Sequence, residues 1–89
     1  MMELQIALLD LLKEEKEFVD EINKAGYDAA YYEKRAEERK AGGTVCDLQA
    51  SLDDYKKTKQ LLEEEVRLIG RLGETRVKIR NYLKEVLLK

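Results

Sequence analysis

From Leu4, steps of four and three residues land on Leu8, Leu11, Glu15, Phe18, Ile22, Ala25, Ala29, Tyr32 and Ala36, and only Glu15 among them is polar. An apolar repeat of about 3.5 residues keeps one side of a helix turned toward a packing partner along its whole length. The pattern predicts a helix over about 3–40. Ile6, Leu9, Leu12 and Val19 widen the stripe near its start, as expected where more than two helices meet, and further on it narrows to alanines and tyrosines. The packing partner is therefore expected to change along the helix. Residues 33–40 are nearly all charged, which predicts a helix end held by local charge pairs and projecting into water.

Ala41, Gly42 and Gly43 end this helix, because glycine adopts the left-handed backbone of a helix C-terminus without steric cost. Thr44 and Asp47 then stand at capping-box spacing, with a hydroxyl to accept from a free amide and a carboxylate near the positive helix end. A turn over 41–44 and a second helix over about 45–88 follow. Its apolar positions Leu48, Leu52, Tyr55, Leu62, Val66 and Ile69 keep the four-three rhythm, with Lys59 as the polar member. Two stripes of matching spacing predict an antiparallel hairpin. Beyond Gly70 and Gly73 the apolar set becomes Leu72, Ile79, Leu83, Val86 and Leu87, one step out of register, with Arg76 in the stripe. Two glycines cost a helix interior about 2 kcal/mol relative to alanine, so a break or kink is expected near 70–73. Gly26 predicts a second kink, and Asp28 could cap a new helix there, which leaves a four-helix chain as the alternative.

The expected fold class is all-α: a single domain over 1–89, an antiparallel helical hairpin kinked near Gly26 and Gly70–Gly73, assembling into an oligomeric helical bundle. A chain of 89 residues buries a small share of its surface, and two amphipathic helices bury one stripe each. Self-association supplies the missing surface, and Leu4, Leu8, Leu11, Phe18, Ile22 and Tyr32 are its expected interface. Tyr27, Tyr31, Tyr32 and Tyr55 are the aromatic concentration of the chain, serving either to fill a wide helix interface or to anchor another protein.

Composition narrows the chemistry. Asp, Glu, Lys and Arg make up 40% of the chain, the formal charge is −2, and histidine, tryptophan and proline are absent. That balance lacks the basic excess of a dedicated nucleic-acid binder. Without histidine there is no Glu-x-x-His di-iron site, and the acidic runs at Glu14, Glu15 and Glu17, at Asp53 and Asp54, and at Glu63, Glu64 and Glu65 read as solvated surface. No nucleophile motif or phosphate loop is present, so no enzyme activity, cofactor or metal is expected. Cys46 has no second cysteine in the chain to pair with and reads as incidental. The longest apolar stretch, Leu4 to Leu12, is interrupted by Gln5 and Asp10 and falls short of the ~20 residues a membrane span needs. With no basic start before it, a cytoplasmic location is expected. Residues 1–28 carry three basic and eight acidic groups, a net −5, and residues 76–89 carry five basic and one acidic, a net +4. An antiparallel hairpin sets these complementary ends side by side.

Residues 69–79, with Ile69, Gly70, Gly73 and Ile79, resemble the Ile-Gly-x-x-Gly signature of KH domains, whose loop clamps a nucleic-acid backbone. Here Arg76 stands at an apolar position of that signature, and ten residues follow Ile79, too few to complete the domain. The alternative function this suggests is a nucleic-acid-binding accessory role through the basic helix, with Arg76, Lys78, Arg80 and Lys84 as contacts. The layout from Tyr31 to Lys89, two long helices joined by Gly42-Gly43-Thr44-Val45, resembles small helical proteins of Gram-positive phages and prophages. That resemblance implies a replication or recombination accessory protein with no catalytic residues to carry over. Leu48, Ser51, Leu52 and Tyr55 are also similar to a segment of the small helical subunit of exonuclease VII, with Thr58 where that family has glycine. The leading expectation is a non-enzymatic adaptor or accessory subunit, binding itself and another protein through helix-to-helix contacts.

Overall fold

The computed structural model describes the backbone of residues 2–88 and the side chains of residues 6–86. It is an antiparallel pair of helices, α1 (Met2–Ala41) and α2 (Val45–Leu88), joined by a three-residue turn. The turn forms as its residues dictate. Gly42 N–H donates to the Arg39 carbonyl at 3.1 Å and Gly43 N–H to the Lys40 carbonyl at 3.3 Å, closing the last turn of α1. Gly43 has φ of 75°, a left-handed conformation that glycine alone adopts freely. A side chain at Gly42 would collide with the Asp47 carboxylate. Asp47 N–H donates to Thr44 Oγ1 at 3.0 Å, so Thr44 is the N-cap of α2.

Neither helix is broken at its glycines. α1 runs through Gly26 and α2 through Gly70 and Gly73, and the long axis of the molecule measures 67 Å. A straight helix of the length of α2 spans about 66 Å, so no sharp bend shortens it. The expected kinks are thus absent and the four-helix alternative falls away. The reason is that each helix is held by its neighbour along its length, which outweighs the propensity cost of isolated glycines.

On α1 the line facing α2 is the expected one: Phe18, Ala25, Ala29 and Ala36 are buried, and Leu11, Ile22 and Tyr32 are half-buried. On α2 the facing line differs from expectation. It runs Ser51, Asp54, Thr58, Leu61, Glu65, Leu68, Leu72, Thr75 and Ile79 in unbroken four-three steps. The stripe of Leu48, Leu52, Tyr55, Leu62, Val66 and Ile69 lies outside it and is exposed. What shifts near Gly70 is therefore the apolar composition, which moves from the outer line to the inner one, while the packing register stays constant.

The apolar core is correspondingly small. Phe18, Leu68 and Leu72 form its centre, with Val19 and Ile22 packed against them, and the Arg71 guanidinium sits 5.2 Å from the centre of the Phe18 ring. Toward the turn the contact becomes one of small and polar groups, with Ala36 fully buried. The charged end of α1 thus packs on α2 and does not project into water.

Gly70 faces open space inside a continuous helix. Gly70→Ala is expected to raise stability by about 0.5–1 kcal/mol, and Thr44→Ala to lower it by about 1 kcal/mol, both read from urea denaturation. A destabilising Gly70→Ala would indicate that the helix bends there.

Candidate interaction surface

Ser51, Asp54, Thr58 and Thr75 of the α2 inner line each find a partner. Ser51 Oγ donates to the Ala36 carbonyl at 2.7 Å, which requires the two backbones to approach closely. Thr58 Oγ1 donates to the Asp54 carbonyl at 2.9 Å, one turn back on its own helix. Thr75 Oγ1 donates to Glu14 Oε1 at 3.0 Å. Asp54 is buried, and its Oδ2 lies 3.6 Å from Arg35 Nε and 3.3 Å from Arg39. No aligned hydrogen bond reaches that oxygen, so the contact is an ion pair whose cations are about one-third exposed. The contacts of Ser51, Asp54 and Thr75 with α1 exist only in this rotation of α2, and turning α2 to present its leucines would exchange them for water and press bulky side chains between the closely approaching backbones at Ala36.

The hairpin consequently has two unlike sides. On one, Glu21, Lys24 and Asp28 of α1 border Leu61, Glu64 and Leu68 of α2, Arg35 reaches Asp54, and Arg71 covers Phe18. Glu64 and Arg67 pair on this helix surface; the hydrogen bond from Arg67 holds the Glu64 carboxyl below its usual range and raises the guanidinium. The pair's contribution is present above the ordinary glutamate range and is lost as pH falls through the lowered value.

On the other side, Gly26 lies beside Glu65, and Arg76 Nε donates to Glu15 Oε2 at 3.2 Å. Four-three steps from Gly26 along α1 give Leu9, Leu12, Lys16, Val19, Asn23, Ala30, Glu33 and Glu37 on this side, and steps from Arg76 along α2 give the outer stripe from Leu48 to Ile69, with Lys59 within it, then Gly73 and Arg80. Leu62, Val66 and Ile69 are 48%, 70% and 50% exposed. A shallow groove of about 470 Å³ opens on this stripe, lined by Tyr55, Thr58, Lys59, Leu62, Glu63 and Val66. An exposed apolar strip of this extent is what protein-binding surfaces present.

The residues expected at an oligomer interface lie on the contact between the two helices of the chain. Phe18 is buried in the core formed with α2, Ile22 packs against that core, and Leu8, Leu11 and Tyr32 are half-buried on the same line, so they serve the contact within the chain. The side chain of Leu4 lies outside the described residues. Tyr31 packs edge-on against Tyr32, ring centres 5.3 Å apart, while Tyr27 is exposed. Of the four expected nucleic-acid contacts, Arg76, Arg80 and Lys84 follow one line on α2, Lys78 points to the opposite flank beside Asn81 and Tyr82, and Arg76 is paired with Glu15. The four cations are not gathered into one patch. Cys46 is exposed. Among the described residues no group of three or more metal-ligating side chains comes together, and no helix is long and apolar enough to cross a membrane.

Sequence reasoning missed the inner line of α2 because it followed apolarity alone. A signal was available: only the line through Ser51, Asp54 and Thr58 continues in register to Leu72 and Ile79. No protein-family model, curated protein or solved structure matches the chain.

Because Arg35 and Arg39 are the cations near the buried Asp54 oxygen, the double variant Arg35→Ala/Arg39→Ala is expected to lose about 2 kcal/mol in urea denaturation. Asp54→Leu, which removes the buried charge, is expected to cost less. The reverse order would show that Asp54 contributes through something other than its charge.

Proposed function

We propose that the chain is a non-enzymatic helical interaction protein, an adaptor or accessory subunit that works by self-association and by helix-to-helix binding of another protein. The observation that carries this reading is the exposed stripe from Leu48 to Ile69, six large apolar side chains on one line of α2 turned away from the contact with α1. A polar fixed contact within the chain leaves that stripe turned outward. Burial of such a surface is the main favourable term in protein association. The layout-level resemblance to small helical phage and prophage proteins agrees with an accessory role.

The outer stripe can be charged without touching the inner line. Sedimentation velocity with light scattering, across the micromolar range, is expected to show an assembly for the native chain and its loss in the variant Leu62→Lys/Val66→Lys. A folded monomer of the native chain at tens of micromolar would overturn self-association.

A further inference from the structure

The two glycines of α2 have no part in the contact with α1. A side chain at Gly70 or Gly73 would meet nothing within 4 Å, and neither residue has the left-handed φ of the turn glycine Gly43. They stand, however, where the apolar residues change from the outer line to the inner one. Val66, Ile69, Leu72 and Thr75 follow one another at intervals of three, and so do the two glycines themselves. Three residues is the repeat of a 3₁₀-helix, in which side chains three apart eclipse each other. Glycine at both positions of such a pair leaves nothing to crowd.

We propose that Gly70–Gly73 is a winding switch, by which the turn-proximal half of α2 exchanges its inner line for its outer one. A 3₁₀ residue turns about 120° where an α-helical one turns about 100°, so four or five of them advance the helix by about 80–100°, the angle between neighbouring lines. The sense of the rotation is fixed. With Leu72 and Ile79 kept against α1, tighter winding brings Ile69, Val66, Leu62, Tyr55 and Leu52 round to the contact and carries Ser51, Asp54 and Glu65 out to the polar side of the hairpin, into water. The facing line of α1 suits both states. Ala25, Ala29 and Ala36 admit the close approach at Ser51, and the same small side chains leave hollows for leucines once the helices stand further apart. The contacts of Thr75 with Glu14 and Arg76 with Glu15 lie beyond the switch and are kept. The device belongs to the chain alone, and its effect on binding rests on the function proposed above: the stripe is presented in the α-helical state and covered by α1 in the rewound one.

Disulfide trapping within single chains, in a Cys46→Ser background, tests the switch whether or not the stripe binds a partner. By the pairings of Arg35 with Asp54 and Glu14 with Thr75, Ala29 lies level with Gln60, so Leu61 faces it in the α-helical state and Leu62 after the rotation. Ala29→Cys/Leu61→Cys is expected to oxidise readily and Ala29→Cys/Leu62→Cys more slowly, through the rewound state, both read by mass spectrometry of the single chain. Adding Gly70→Ala/Gly73→Ala favours the α-helical winding and crowds the other, so it is expected to slow the Leu62 pair several-fold and leave the Leu61 pair unchanged. A Leu62 pair that stays reduced would overturn the second state. A Leu62 pair whose rate the two alanines leave untouched would overturn the glycines as its pivot.

Discussion

Two helices share one line of contact, and the properties of this molecule follow from which line α2 offers. The choice is made at the turn-proximal end, where Ala36 lets the backbones approach closely enough for the Ser51 hydroxyl to reach its carbonyl. One turn further, Asp54 lies between Arg35 and Arg39. Short side chains cannot be swapped for leucines by rotation without separating the helices at Ala36 and giving up the contacts of Ser51 and Asp54 with α1. A small set of polar contacts therefore overrules a longer set of apolar residues.

The cost is a thin core. Phe18, Leu68 and Leu72 with two half-buried neighbours are the principal apolar cluster, and large side chains from Leu48 to Ile69 remain in water. The far end is held by the buried Thr75 hydroxyl with Glu14 and by Arg76 with Glu15 at the surface, an ion pair that fixes alignment more than it adds stability. The hairpin is thus polar on one side and apolar on the other.

Much of this was legible in the residues. The helix–turn–helix layout, the Gly42-Gly43 stop, the Thr44 cap and the facing line of α1 are local or periodic properties, and each formed where its residues indicated. The pairing of the acidic start with the basic end also followed, in Glu15 with Arg76, because antiparallel chains must bring those segments together. The glycines misled: Gly26, Gly70 and Gly73 mark weak points of an isolated helix, yet a neighbour along the whole length keeps the helix intact.

The sequence by itself determined two long amphipathic helices, their connection and their antiparallel direction, since periodicity, capping and turn chemistry act within a few residues. The tertiary structure alone decided which of two lines on α2 faces inward. Both lines obey the same four-three spacing, and the choice between them depends on how closely the helices approach and on which buried polar groups find partners across the gap, quantities that exist only once the two helices are side by side.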